Sequence, residues 1–192
     1  MNEIKAGAKF RGTFELECYR LRDPLTGKRL RDDRGRFLPR QLVWTEEVGN
    51  IITNEGLDAI LDIMLHAATQ ITTWYCCLVE TDTAPAANMT YAVPVYTESI
   101  AYDEGTRPEY VEAASSGQSI TNSANKAVFT IDAAKTMYGA SVVGGGTDPT
   151  VKNNTAGGGT LFCYAKFAAS RSVVDDDVIN LTYTLTSADD GV

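Results

Sequence analysis

The stretch Asp177–Thr186, DVINLTYTLT, alternates apolar and polar side chains along nearly its whole length. The apolar set is Ile179, Leu181, Tyr183 and Leu185, and the polar set is Asn180, Thr182, Thr184 and Thr186. A period of two residues sends successive side chains to opposite faces of an extended chain. The stretch therefore predicts a β-strand with one face on a core and the other face polar.

Other segments share this character and are separated by clusters of Gly, Asn, Asp, Ser and Pro, which favour turns. They are rich in Val, Ile, Thr, Tyr and Phe, the residues typical of strands. The strand candidates are Lys9–Leu21, Gln41–Val48, Ile71–Glu80, Val93–Ile100, Pro108–Ala113, Ala127–Asp132, Thr136–Val143 and Thr160–Ala168. Many short strands without alternating helices predict an all-β protein with an antiparallel β-sandwich. We expect a jelly-roll-like arrangement, since the Cys…Trp…Cys pattern of immunoglobulin domains is not present.

One segment, over about residues 54–67, has the periodicity of an α-helix. Thr53 or Asn54 can cap its N-terminus, and acidic residues follow in the first turn, where the helix dipole favours them. Its apolar residues, with the i, i+3, i+4, i+7, i+8 spacing of an amphipathic helix, are Leu57, Ile60, Leu61, Met64 and Leu65. We expect this apolar stripe to cover an open edge or end of the sheet.

Charge is distributed unevenly along the 192 residues. The chain has 17 Lys and Arg against 25 Asp and Glu, which gives a net charge of −8. Residues 1–40 hold eleven of the basic residues and six acids, so that they carry +5 and the remainder carries −13. We therefore predict a basic N-terminal arm or hairpin over residues 1–45 and a β-sandwich domain over residues 46–192.

The density of arginine in the basic segment suggests a docking surface. The candidate contacts are Arg29, Arg31, Arg34 and Arg36. Arginine forms bidentate pairs with carboxylates, so an acidic protein surface is the favoured partner, although a solvated loop remains an alternative. Nucleic acid is not expected as the partner, because only Phe37 lies among the arginines and stacking on single strands needs interleaved aromatic residues.

The sequence offers little catalytic chemistry. His66 is the only histidine, and no nucleophile-elbow motif accompanies it. Glu46 and Glu47 point to opposite faces if they lie in a strand, and residues 175–177, three aspartates, are expected to form a solvated turn. We therefore expect no enzyme activity, no metal site and no cofactor. The four cysteines lack a CxxC spacing, and we expect buried, reduced thiols.

Three further features bear on function. The glycine-rich segment Gly144–Gly159 is either a mobile contact loop or a tolerated insertion, and the sequence leaves both open. The surface tyrosines of a carbohydrate-binding domain would have to come from Tyr91, Tyr96, Tyr102 and Tyr110, which we expect to be half-buried on strands instead. The longest apolar runs, such as Trp74–Val79, are far shorter than the roughly 20 residues of a membrane span, so no membrane contact is expected.

A series of motifs resembles a known family. They are NIITNEGLDAIL at residues 50–61, TQITTWYCCLVE at 69–80, YDEGTRPEYVEA at 102–113, GQSITNSANKAVFTI at 117–131, GTLFCYAKF at 159–167 and RSVVDDDVINLTYTLT at 171–186. The series is similar to small structural proteins of tailed bacteriophages, and most like head decoration or cement proteins. The arginine-rich residues 1–45 lie outside the resemblance.

The resemblance implies a virion protein, assembled in the cytoplasm of a bacterial host. Its partners would be the major capsid protein or neighbouring virion proteins, and it would bind between capsid subunits as a homo-oligomer, a dimer or trimer. A neck or tail adaptor, or a fibre-attachment protein, is the alternative within the same setting.

Overall fold

The structure, a computed structural model, describes residues 7–147 and 149–189. Within them lie nine strands and one helix. The elements are β1 (Ala8–Arg20), β2 (Gln41–Gly49), β3 (Ile51–Ile52), α1 (Asn54–Leu65), β4 (Trp74–Val79), β5 (Ser119–Thr121), β6 (Ala127–Thr130), β7 (Lys135–Gly144), β8 (Thr160–Val173) and β9 (Val178–Asp189).

The strands form two antiparallel sheets that pack face to face. The first sheet has the order β2-β1-β9-β5, with β6 also paired to β9, and the second has the order β3-β8-β7-β4. Strand β9 contains the alternating stretch and pairs with β1 along its whole length, from Val178 opposite Tyr19 to Asp189 opposite Ala8. The predicted all-β antiparallel sandwich with one short helix is confirmed.

The main core lies between the two sheets. One side of it comes from the inward residues of β1 and β9, and the other from β4, β7 and β8. The rings of Phe14 and Tyr183 pack with their centroids 4.6 Å apart. The principal members are Phe14, Leu16, Cys18, Ile179, Leu181 and Tyr183, facing Cys76, Leu78, Met137, Val142, Cys163 and Ala165.

The outer face of the second sheet is also covered, by the irregular segment 80–118. Met89, Tyr91 and Tyr96 of this segment pack on the outward side chains of β4, β7 and β8. The predicted strands Val93–Ile100 and Pro108–Ala113 are wrong, because both segments make only isolated bridges and single hydrogen bonds to the free edge of β4. Each contains a proline, which cannot donate to a ladder. Together they protect that edge from pairing with another chain.

Helix α1 begins as predicted but buries a different face. Thr53 is the N-cap, and its side chain accepts a 3.0 Å hydrogen bond from the Gly56 backbone N–H. The helix packs on β8 through its small residues: a Cβ at Gly56 would overlap the Phe162 carbonyl group. This close approach rotates the expected apolar stripe away from the core. Of that stripe only Ile60 packs on the core, while the other four residues, Leu57, Leu61, Met64 and Leu65, are exposed.

Of the predicted basic arm or hairpin over residues 1–45, residues 1–6 lie outside the described residues, and the rest forms a hairpin of β1 and β2 that belongs to the first sheet rather than a separate arm. Strand β1 lies between β2 and β9 in the first sheet, and its side chains at Phe14 and Leu16 are fully buried. Only residues 21–40, which connect β1 to β2, leave the sheet. We call this segment the basic loop. The basic loop and α1 lie at opposite ends of the sandwich. Helix α1 packs on the first residues of β8, whereas the basic loop contacts the turn that follows the last residue of β8.

Candidate functional site

The basic loop is the most basic segment of the described chain. Its twenty residues contain seven Lys and Arg and three Asp, a net charge of +4 on a protein whose total is −8. Its basic side chains are exposed, and so are two apolar residues at its surface, Leu25 and Phe37, with 93% and 54% of their areas accessible. The loop therefore offers both positive charge and apolar contact area to a partner.

Two aspartate-centred turns give the basic loop a defined shape. The Asp23 carboxylate accepts hydrogen bonds from the backbone N–H groups of Leu25 and Thr26, at 3.0 and 2.7 Å. The Asp32 carboxylate accepts from the backbone N–H groups of Arg34 and Arg36, at 3.0 and 2.9 Å. These donors favour the ionised carboxylates, so the pKa of each aspartate is lowered, first of all by a backbone hydrogen bond from Thr26 or Arg36.

The four candidate docking arginines lie on this loop, and all four are exposed. The guanidinium carbons of Arg29 and Arg31 lie 4.8 and 3.9 Å from the centroid of the Phe37 ring, in cation–π contact. Arg36 forms a 2.7 Å ion pair with Asp32. No side-chain partner of Arg34 is found among the described residues. The Phe37 ring is thus in contact with two guanidinium groups, while 54% of its area remains accessible.

The loop is attached to the sandwich by a buried ion pair. Arg20, at the end of β1, donates from Nε and Nη2 to the two carboxylate oxygens of Asp177 at 2.8 and 2.6 Å. Asp177 is fully buried and also accepts from the Val174 N–H at 2.9 Å. Burial and the neighbouring Asp177 raise the pKa of the Cys18 thiol to about 12.

The aspartate run 175–177 lies in the turn between β8 and β9 that the sequence suggested, but the turn is solvated only in part: Asp175 is exposed and Asp177 is not. Asp176 pairs at the surface with Arg22 of the basic loop, while Asp177 is buried. Sequence alone contained a signal for this pair: continuing the alternation of β1 and β9 by one step places Arg20 and Asp177 on the inward face, next to Cys18 and Ile179. Both charges are therefore brought into the interior together.

The carboxylates at 46 and 47 point to opposite faces, as predicted. Glu46 is buried and accepts from Nε of Arg171 and from the Ala168 N–H, both at 2.9 Å, whereas Glu47 is exposed. The ion pair of Glu46 with Arg171 connects β2 of the first sheet to β8 of the second. His66 lies exposed at the C-terminal end of α1, where its backbone N–H donates to Asp62. No two of these groups converge on a common point where a substrate could bind.

A second buried ion pair, which sequence reasoning missed, holds the glycine-rich segment 144–159. Arg107 donates to Glu98 at 2.6 and 2.9 Å, and also to the carbonyls of Pro149 and Asn154 at 2.8 and 3.0 Å. Glu98 in turn accepts from the Asn153 N–H at 2.9 Å. The segment is therefore fastened to the covering layer at several points. Neither charged residue stood out in the sequence, because both lie in irregular chain.

The tyrosines considered as a carbohydrate platform are buried. Tyr91, Tyr96, Tyr102 and Tyr110 each have less than a tenth of their area accessible. They lie in the covering segment rather than on strands, and burial raises the pKa of the Tyr110 hydroxyl. A sugar ring cannot stack on a ring that is already covered.

An apolar cavity of about 240 Å³ opens beside the inward side of α1. Its lining includes Ile60, Ile71, Trp74 and Leu185. It is smaller than the roughly 300–1,000 Å³ of typical small-molecule sites.

All four cysteines are buried free thiols, as predicted. Within residues 7–147 and 149–189, no group of three or more His, Cys, Asp or Glu side chains is placed to hold a metal ion.

Comparison with known proteins gave no assignment. No protein-family model matches the chain, and a search of curated proteins produced no match to it. In the part of the chain that the structure describes, no helix has the length and apolar character needed to cross a membrane.

Proposed function

We propose that the protein is a non-enzymatic structural protein of a tailed-bacteriophage virion, which decorates or cements the capsid by docking between capsid subunits. The observation that carries the proposal is the basic loop: an exposed, ordered segment of charge +4, fixed to the end of a two-sheet scaffold by the buried Arg20–Asp177 pair. The resemblance of residues 50–186 to phage structural proteins supplies the setting. The partner would be the major capsid protein or a neighbouring virion protein.

The chemistry of the loop favours a protein partner. Exposed arginines can make paired, charge-assisted hydrogen bonds to carboxylates, and the preformed shape of the loop reduces the entropy lost on binding. Leu25 and Phe37 supply exposed apolar area on the same loop. A surface that combines acidic and apolar residues would complement it.

The test is binding to particles of the encoding phage that lack this protein. A variant with Arg29, Arg31, Arg34 and Arg36 changed to Glu is expected to lose occupancy on the particle by at least about tenfold, since each tenfold loss corresponds to only about 1.4 kcal/mol. The matched control makes the same change of charge elsewhere on the surface, at Lys9, Arg11, Lys126 and Lys135. Undiminished occupancy of the loop variant, or equal loss in the control, would refute the docking role.

Copy number separates the leading proposal from its alternative. A decoration protein is present in hundreds of copies, whereas a neck or tail adaptor or a fibre-attachment protein forms a ring of about 5, 6 or 12 subunits, as closed cyclic symmetry requires. Quantitative protein staining of purified particles gives this number directly.

A further inference from the structure

Helix α1 has an apolar stripe, at the end of the sandwich opposite the basic loop, that none of the described residues covers. Because Gly56 brings the helix against β8, Leu57, Leu61, Met64 and Leu65 face outward, and Leu65 has 81% of its area accessible. Four large apolar residues on one helix face form a contiguous surface patch, and such patches mark interaction sites.

The stripe has an acidic border. Asp58 and Asp62 are exposed and lie one helical turn apart, next to the stripe. Helix α1 contains three acidic residues and no lysine or arginine. The third, Glu55, is already engaged with the backbone N–H groups of Tyr91 and Leu161, at 2.8 and 2.6 Å. Two exposed carboxylates beside an apolar stripe call for a partner that is both basic and apolar.

We infer that this partner is the basic loop of a second copy of the chain. The loop presents exposed arginines beside the Phe37 ring, with Leu25 exposed in its other turn, which is the complement of carboxylates beside leucines. The inference rests on the proposed docking role of the loop, and it identifies one acidic surface to which the loop binds. A symmetric pairing of two α1 helices fits less well, because it would bring Asp58 and Asp62 of both copies together.

The distance between the two surfaces decides that the contact is intermolecular. Helix α1 packs on Phe162, near the start of β8, and the loop is fastened beyond Val173, at its end. Strand β8 bulges between Lys166 and Arg171, so the separation is measured along its partner β7, where the eight steps from Val143 to Lys135 span about 26 Å at roughly 3.3 Å per residue. For the loop to reach α1 of its own chain, its two aspartate turns would have to open. A contact between unlike surfaces at opposite ends is heterologous, and repetition of it gives a closed ring or an open filament.

Exchanging the charges of the two surfaces by mutation tests the contact, with self-association measured by sedimentation. Wild-type protein is expected to self-associate at concentrations up to about 1 mM. A Kd of about 1 mM corresponds to a binding free energy of only about −4 kcal/mol. The variant Asp58→Lys/Asp62→Lys and the variant Arg29→Glu/Arg31→Glu should each associate at least about tenfold more weakly. An equimolar mixture should regain association, because each altered surface then meets a complementary one. The control Lys126→Glu/Lys135→Glu should behave as wild type.

Cross-linking identifies which surfaces meet. Since the native cysteines are buried, a short bis-maleimide reacts only with introduced thiols. Leu61→Cys and Leu25→Cys, both at exposed positions, should cross-link when mixed and not when each is alone. A monomeric wild type, no recovery in the charge-exchanged mixture, or cross-linking of Leu61→Cys to itself would overturn the inference.

The two proposals fail in different ways. If the wild type remains monomeric while the four-Glu loop variant still loses particle occupancy, the self-contact is refuted and the docking role stands. If charge exchange restores self-association but the loop variant occupies particles normally, the capsid-docking role is refuted and the self-contact stands.

Discussion

Adjacent aspartates at the root of the basic loop provide a direct comparison of a buried and an exposed ion pair. Asp177 is fully buried and paired in two hydrogen bonds with Arg20, whereas Asp176 pairs with Arg22 at the surface. Removing one partner of a buried pair leaves an uncompensated charge, which costs about 3–5 kcal/mol. Because the Arg20 side chain keeps 16% of its area accessible, water can partly solvate it, and we expect the lower end of that range for Asp177→Asn.

The expected loss of about 3 kcal/mol corresponds to a fall of roughly 6–12 °C in Tm for a domain of this size. The matched substitution Asp176→Asn should cost at most about 1 kcal/mol, as is typical of exposed pairs. Urea unfolding followed by tryptophan fluorescence measures both. If the two variants lose equal stability, the assignment of Asp177 as the buried anchor of the loop is wrong.

Three other predictions follow from the structure. Gly56→Ala would push α1 off the Phe162 carbonyl and should destabilise the protein by about 1–3 kcal/mol in urea unfolding, whereas Gly105→Ala, with open space around it, should be close to neutral. The four buried thiols should react with Ellman's reagent at pH 8 only after unfolding, and rapid reaction of the native protein would contradict their burial. Folding lowers the pKa values of Asp23 and Asp32, so the stabilisation that they give to the loop turns is present above the unfolded values near 4 and is lost as pH falls through the lower folded values. The amide chemical shifts of the loop, followed by NMR from pH 6 to pH 2, should show this opening. Chemical shifts that do not change with pH would contradict it.

The longer strands of the two sheets were predictable because their alternation is local and regular, whereas the short strands β3 and β5 were not predicted. The pattern of β9 is visible without any knowledge of its neighbours, and the structure places this strand at the centre of the first sheet. The Thr53 N-cap was also predictable, since a single side chain and one turn of backbone determine it.

The orientation of α1 could not be predicted from its periodicity. The apolar stripe is the most evident pattern in the helix, but Gly56 allows a closer approach to β8 than any leucine face would. The choice between the two faces depends on the backbone of Phe162, which lies more than a hundred residues away in sequence. Amphipathicity identified a helix with an apolar face, but it did not identify what packs against that face.

The candidate site was only partly visible in the sequence. Charge density located the arginines of the basic loop, but the pairs that hold the two loops, Arg20–Asp177 and Arg107–Glu98, depend on contacts between distant or irregular segments. The segments around Glu98 and Tyr110 have strand-like composition, and their prolines and their position over the edge of β4 keep them irregular. Composition alone does not distinguish a strand that is hydrogen-bonded into a sheet from an irregular segment that covers a sheet.

The pairing of β1 with β9 has a consequence for the order in which the protein can be built. These two strands lie side by side at the centre of the first sheet, yet nearly the whole described chain separates them in sequence. During synthesis β1 can pair with β2 early, but Phe14, Leu16 and Cys18 cannot be enclosed until β9 has left the ribosome. Long-range pairing of this kind slows folding and leaves an apolar sheet face and an open strand edge exposed in the meantime. A chaperone that shields a β1–β2 hairpin would therefore increase the yield of folded protein.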